Sequence, residues 1–271
     1  MNNNLNNLPI GVFDSGIGGI SLLAKMVRTV PGEHFLYLSD SANAPYGTKT
    51  CKCIRDVSLS AARLMSAKGI KALVVACNTA TSAAITYIRE EFEIPVIGME
   101  PAIKPAVEKN GKGKIIVLAT PLTLKENKFN DLFRRFNCSA EIVPIPCPGF
   151  AELIESEAQP EVIREYLTHI IGDGGRVKFN EVSTVVLGCT HYCFVRDEIS
   201  RVVGPQAVII DGTEGTSRHV MRTLEAGGLL AAENSPKRGV EFLTTGDPDR
   251  VIPLCERFFD KALGMINKLF L

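Results

Sequence analysis

Short apolar runs alternate along the whole chain with stretches in which apolar residues recur every three or four positions. The short runs read as strands at Ile10–Phe13, His34–Ser39, Ala72–Ala76, Pro95–Gly98, Lys114–Ala119, Glu141–Ile145, Thr184–Gly188, Ala207–Ile210 and Val240–Thr244. Most are continuously apolar rather than alternating, as strands covered on both faces must be. Between the second and third, Ile54, Val57, Ala61, Leu64 and Met65 fall at helical spacing, and Gly69 is placed to close that helix in a left-handed conformation. Similar stripes run through Leu132, Phe133 and Phe136, and through Val162, Ile163, Tyr166, Leu167 and Ile170. All three stripes are expected to be core. Strands alternating with helices predict an α/β protein with mostly parallel, doubly wound sheets.

A chain of 271 residues is long enough for two ordinary domains. Gly98 to Pro105 carries a glycine and two prolines just after a strand, and Val203-Gly204-Pro205 precedes another, so both are places where the chain could cross between lobes. One lobe is expected over residues 1–99 and 210–271, the other over residues 100–209. Thirty Lys and Arg balance thirty Asp and Glu with no long basic run, which gives no footprint for nucleic acid or an anionic membrane surface and favours a small-molecule ligand. Eight cysteines without the spacing of a disulfide scaffold, behind a polar N-terminus without a secretory signal, read as reduced thiols of a cytoplasmic protein. No apolar run is long enough to span a bilayer.

Two segments repeat each other: Ala72-Leu73-Val74-Val75-Ala76-Cys77-Asn78-Thr79 and Thr184-Val185-Val186-Leu187-Gly188-Cys189-Thr190-His191 each run an apolar strand into a cysteine. Free cysteine is among the most buried residue types, so one such cysteine alone would be read as core. Two matched ones at strand ends, where open α/β sheets bind ligands, suggest two thiols facing one pocket. Each stands before an expected helix that Thr79 or Thr190 could begin to cap, and the helix dipole would favour a thiolate. His191 could assist proton transfer or orient a substrate. A pair of opposed acid/base groups can take a proton from one face of a carbon and return one to the other.

Asp14-Ser15-Gly16-Ile17-Gly18-Gly19 follows the first strand, and its amides could face a ligand anion. As a dinucleotide loop it fails, because the third glycine position holds Ser21, although Asp40 stands where a ribose-binding acid could. Pro45-Tyr46-Gly47-Thr48 is a turn, with Thr48 expected to cap a helix starting near Lys49. Cys51 and Cys53 point to different helix faces, and Cys189, His191 and Cys193 lack an accompanying C-x-x-C pair, so neither set makes a metal site.

Four segments in this order and spacing give the chain a family resemblance: Gly11-Val12-Phe13-Asp14-Ser15-Gly16-Ile17-Gly18-Gly19, Pro45-Tyr46-Gly47-Thr48, Ala76-Cys77-Asn78-Thr79-Ala80 and Gly188-Cys189-Thr190-His191-Tyr192. The chain resembles the glutamate racemases of the cofactor-independent aspartate/glutamate racemase superfamily, from about Gly11 to Asp211. The resemblance implies two pseudo-symmetric α/β lobes with the site between them, no metal or pyridoxal phosphate, and D-glutamate made for peptidoglycan. It implies that Cys77 and Cys189 are the acid/base thiols, working on the D- and L-enantiomer respectively, with Asp14 and His191 assisting. Ser15, Tyr46, Gly47, Asn78, Thr79, Thr120, Thr123 and Thr190, together with Asp14 and His191, would be the glutamate ligands. The family's assisting glutamate falls on Glu155 through the register of Cys147-Pro148. A homodimer and a peptidoglycan-precursor effector belong to the same implication. The chain departs from the family pattern at Leu122 (often Gly), Cys193 and Glu152 (often Pro) and Asn43 (often Arg).

Overall fold

The computed structural model describes residues 5–109, 113–136, 139–173, 177–231 and 239–268. Its strands are β1 (Ile10–Asp14), β2 (His34–Ser39), β3 (Ala72–Val75), β4 (Val96–Gly98), β5 (Lys114–Ala119), β6 (Ile142–Pro146), β7 (Val182–Leu187), β8 (Val208–Asp211) and β9 (Gly239–Thr244). The helices are α1 (Ile20–Thr29), α2 (Cys51–Ala67), α3 (Asn78–Glu91), α4 (Ile103–Lys109), α5 (Pro121–Lys125), α6 (Asn127–Phe136), α7 (Phe150–Glu155), α8 (Pro160–Thr168), α9 (Arg196–Val203), α10 (Thr213–Ala226) and α11 (Pro248–Lys268).

The strands form two sheets, in the orders β4-β3-β1-β2-β9 and β6-β5-β7-β8, and every pairing is parallel. Read from its other edge, the second sheet runs β8-β7-β5-β6, which is the order β4-β3-β1-β2 advanced by four strands. The two halves of the chain therefore repeat one winding, with β1 equivalent to β5 and β3 equivalent to β7. Every residue of β1, β2 and β3 is buried, the result expected for parallel strands covered on both faces.

The largest apolar cluster is shared by both sheets: Val12, Val74 and Ala76 of the first join Ile116, Leu118 and Leu187 of the second, beneath Leu23 of α1 and Phe258 of α11. A second cluster covers the other face of the first sheet, under Ile54 and Met65 of α2 and Ile85 and Ile88 of α3. A third covers the other face of the second sheet, under Ile103 of α4 and Phe129 of α6. The two sheets are thus fastened through a common interior, while their strand ends are left to meet in a cleft.

Local chemistry sets the boundaries. Thr50, not Thr48, caps α2, its hydroxyl accepting from the Cys53 amide at 3.2 Å, and Thr48 lies in the preceding tight turn Tyr46–Thr48. Gly69 follows α2 at φ +73°, the left-handed conformation expected of it. Two residues of the expected core stripes face outward, Leu64 at 40% exposure and Val162 at 43%. Leu132, Phe133 and Phe136 are only partly buried, because α6 rides on the rim of its sheet and sinks Phe129 instead. The chain leaves the first sheet after β4, near residue 99. The Val203-Gly204-Pro205 turn does not return it: β8 still pairs with β7, and the return follows Asp211, where α10 packs on α1.

At the end of the first sheet remote from the cleft, Lys71 and Glu33 form a buried ion pair at 2.5 Å, with Lys71 also donating to the Asn6 carbonyl at 2.7 Å and Glu33 accepting from the Ala231 amide at 2.9 Å. Burial lowers the Lys71 pKa and the Glu33 carboxylate opposes that fall. Removing one partner strands the other in a dry site. Lys71→Ala is expected to cost about 3–5 kcal/mol in denaturant unfolding, and Lys71→Met/Glu33→Gln to recover most of it. A single variant as stable as the wild type would refute the assignment.

Candidate active site

In a doubly wound sheet the ligand crevice lies where successive strands are added in opposite directions. In the first sheet β1 is followed by β2 on one side while β3 lies on the other, so the crevice opens at the ends of β1 and β3. By the same rule the second opens at the ends of β5 and β7. Those four ends carry Asp14-Ser15, Cys77, Thr120 and Cys189, and the two crevices face each other in one cleft. The cleft holds about 600 Å³ of empty space including its mouth. Cys77 and Cys189 both line it, at 5% and 8% exposure.

The loop after β1 is where the two halves touch most closely. A Cβ on Gly16 would lie 2.1 Å from Glu155 Oε1, and one on Gly18 would lie 2.3 Å from Thr190 Oγ1 and 2.4 Å from His191 Nδ1. The glycines therefore make room for three side chains from the other sheet. The loop amides do not wait for a ligand anion: Gly16 donates to Asp14 Oδ1 at 3.0 Å and Ile17 to Glu155 Oε1 at 3.2 Å. These two amides are thus bound within the protein rather than left facing a ligand anion. Tyr37 fixes the loop from below, its hydroxyl donating to the Gly16 carbonyl at 2.8 Å.

Cys77 is itself the N-cap of α3, its sulfur accepting from the Ala80 amide at 3.5 Å with the Ser15 hydroxyl also 3.5 Å away. Thr79 does not cap the helix. The expectation of a dipole-stabilised thiolate fails here, because burial and the Asp14 carboxylate push the Cys77 thiol up to about 12, outweighing those two hydrogen bonds. Asp14 lies wholly buried beneath the cleft wall. Burial raises its pKa against the opposing pull of His191, and it accepts from the Thr190 hydroxyl at 3.1 Å. Thr190 is thereby committed to Asp14 and caps nothing.

Cys189 precedes a tight-turn segment, Thr190–Val195, that leads into α9. Its sulfur is 3.7 Å from His191 Nδ1, and His191 Nε2 donates to Glu155 Oε1 at 2.7 Å. Burial works against charge on His191, but the contacts with Cys189 and Glu155 prevail and raise its pKa well above the ordinary histidine value. Glu155 answers in the opposite direction: burial would raise its pKa, and the imidazole lowers it. Each shift favours the charged form of its own group, an imidazolium and a carboxylate.

On the opposite wall, Tyr46 is held by its hydroxyl, which donates to Asp40; the other oxygen of Asp40 accepts from Thr245 at 2.7 Å and from Asn43 at 3.0 Å. Asp40 is thus an anchor for the Pro45–Thr48 turn. Gly47 lets Thr120 of the second sheet approach, since a Cβ there would sit 3.0 Å from that of Thr120. Thr79, Thr120 and Thr123 close a triangle of hydroxyls at 2.9–3.0 Å. Asn78 is 3% exposed, and neither atom of its side-chain amide has a hydrogen-bond partner. A buried orphan amide costs about 1–3 kcal/mol, which a polar ligand would relieve.

Of the residues expected at the site, Ser15, Tyr46, Gly47, Cys77, Asn78, Thr79, Thr120, Glu155, Cys189, Thr190 and His191 all line the cleft. Asp14 and Thr123 do not: both are fully buried behind it, Asp14 under Ser15 and Thr190, and Thr123 behind Thr79 and Thr120. Cys147, Gly149, Ala151 and Glu152 also line it, unforeseen. Cys147 carried the available signal, being another cysteine just past a strand end. No group of His, Cys, Asp and Glu among the described residues is arranged to hold a metal ion; His191 is committed to Glu155 and Cys189.

The family model described as Asp/Glu/Hydantoin racemase matches residues 10–220. A glutamate racemase of Clostridium botulinum (strain Langeland) is 46% identical over 257 residues, which is 94% of this chain and 98% of its own. That of Clostridium novyi is 46% identical over 264 residues, 97% and 99%. Among solved structures, a glutamate racemase isoform from Bacillus anthracis superposes with a TM-score of 0.82 at 27% identity, covering 93% of this chain and 94% of its own. The Escherichia coli glutamate racemase, solved with L-glutamate and the activator UDP-MurNAc-ala, gives 0.79 at 27% identity, covering 93% and 95%. Among the described residues no helix is long and apolar enough to cross a membrane.

The raised Cys77 pKa has a direct readout. Alkylation of Cys77 in the ligand-free protein, followed on its peptide by mass spectrometry, is expected to accelerate about tenfold per pH unit between pH 8 and 10, because the thiolate fraction grows so below the pKa. A plateau by pH 9 would contradict the electrostatic assignment.

Proposed function

The chain belongs to the Asp/Glu/hydantoin racemase family and is an amino-acid racemase, and from that premise we propose that it interconverts L- and D-glutamate by two opposed thiols, with no cofactor in the step. The observation that carries this reading is that two cysteines from equivalent strand ends of the two repeated sheets line the same cleft. The relatives' names supply the substrate.

The cleft suits an amino acid with two carboxylates held by neutral donors. Among the described residues no lysine or arginine lines it, so recognition falls to the hydroxyls of Ser15, Thr79 and Thr120, the amides of the Tyr46–Gly47 turn and the orphan amide of Asn78, with the Thr190 hydroxyl donating to Asp14. Thr79 stands in the first turn of α3, where the helix N-terminus adds partial positive charge.

For L-glutamate, the Cys189 thiolate takes the Cα proton. The electron pair of the broken C–H bond moves into the α-carboxylate, and the Cys77 thiol returns its own proton to the opposite face. D-glutamate leaves with Cys189 as thiol and Cys77 as thiolate, which is the starting form for the reverse reaction. The unlike surroundings of the two sulfurs fit these roles: burial and Asp14 push the Cys77 thiol up, favouring its protonated form, while His191 Nδ1 lies 3.7 Å from the Cys189 sulfur. Glu155 positions His191, and Asp14 positions Thr190 and the loop. Thr123 acts through Thr79 and Thr120.

The same reading extends to a division into lobes at about residues 99 and 210, a homodimer, use of the D-glutamate in peptidoglycan synthesis, and an effector resembling the activator named with the Escherichia coli relative. Cys77→Ser and Cys189→Ser are each expected to lower racemisation of glutamate by about 10²–10⁴-fold with circular dichroism unchanged; two fully active variants would refute the thiol mechanism. In heavy water, D-glutamate formed from L-glutamate should carry deuterium at Cα, and retention of the original hydrogen would rule out proton exchange with the enzyme. Glutamate should turn over far faster than aspartate.

A further inference from the structure

We propose that Glu152 is a specificity-determining residue: its carboxylate makes the cleft wall negative and so favours a dicarboxylate that carries an ammonium group over one that does not. The inference rests on the glutamate reading above and goes beyond it in naming what the site rejects.

Glu152 is in the first turn of α7, after the Gly149 turn, and it lines the cleft. It also lines a second cavity behind the cleft, formed with Ser39, Ser41, Asp247 and Arg250, so it stands in the partition between the two spaces. Among the described residues its carboxylate has no hydrogen-bond or ion-pair partner. Its neighbour Glu155 differs, being bound to His191 and to the Ile17 amide. His191 and Glu155 bind each other, and among the described residues no lysine or arginine lines the cleft. Glu152 is therefore a carboxylate on that lining without a bonded partner among the described residues, the nearby cation being Arg250 on the second cavity.

The consequence is electrostatic selection by net charge. Glutamate brings two carboxylates and one ammonium, a net charge of about −1; glutarate or 2-oxoglutarate fits the same donors at about −2. A fixed negative charge several ångströms away, partly screened by solvent, opposes the second about twice as strongly as the first. The carboxylate thus weakens binding of the substrate modestly and of its deaminated analogues more, keeping the latter from occupying the cleft.

The test measures KM for L-glutamate and the inhibition constant of glutarate in the wild type, Glu152→Gln and Glu152→Asp, at low and high salt. Glu152→Gln should lower KM about threefold and the glutarate constant about tenfold, with kcat nearly unchanged. Glu152→Asp, which keeps the charge, should behave as the wild type. Added salt should reproduce part of the Gln effect in the wild type and little of it in the variant. Equal shifts for both ligands, no shift, or a matching effect of Glu152→Asp would overturn the proposal, as would a higher KM for glutamate in Glu152→Gln, which would mean that the carboxylate holds the ammonium. A wild-type protein that does not racemise glutamate would defeat the underlying reading instead, and the proposal with it.

Discussion

The chemistry of this molecule depends on bare backbone where two sheets meet. At Gly16 and Gly18 any Cβ would occupy space already held by Glu155, Thr190 and His191, and at Gly47 it would press on Thr120. A methyl group at Gly16 or Gly18 would have to displace Glu155, or Thr190 and His191, from their hydrogen bonds. The glycine loop after β1 is therefore a seat for protein groups, with its free amides taken by Asp14 and Glu155. The two sheets share one apolar interior, in which Val12 and Leu118 belong to the same cluster.

The repeated winding explains why the site has two similar halves. Equivalent strand ends deliver Cys77 and Cys189, and likewise Ser15 and Thr120, to one cleft. The equivalence stops at electrostatics. Cys77 sits over a buried carboxylate and accepts a weak amide bond at a helix start, whereas Cys189 adjoins an imidazolium held by Glu155. Topology supplies two matched sulfurs, and the neighbours give them unlike surroundings.

Recognition follows a different logic from that of many carboxylate sites, in that the lining offers hydroxyls and amides where an arginine fork is common. Neutral donors hold a carboxylate with less gross attraction and less desolvation cost than an arginine does. The unsatisfied amide of Asn78 is the clearest sign that the lining is incomplete until a polar ligand arrives.

Much of this was legible in the residues alone. Apolar runs placed all nine described strands to within about two residues, because a doubly covered strand leaves an unbroken signal, and the matched strand-cysteine segments marked the cleft. Local pattern was less reliable where a helix lies at a rim, as at Leu64, Val162 and α6, since periodicity reports which face is apolar and not how much protein covers it. The sequence could not reveal that Asp14 and Thr123 stand behind the wall, that Glu155 reaches His191, or that Cys77 is a high-pKa thiol. Those facts depend on distances and burial set between residues far apart in the chain. Strand identity and residue chemistry were determined by the sequence itself; the pKa shifts and the meeting of two thiols in one cleft were decided only when two separately wound sheets came together, because electrostatics and desolvation act through space.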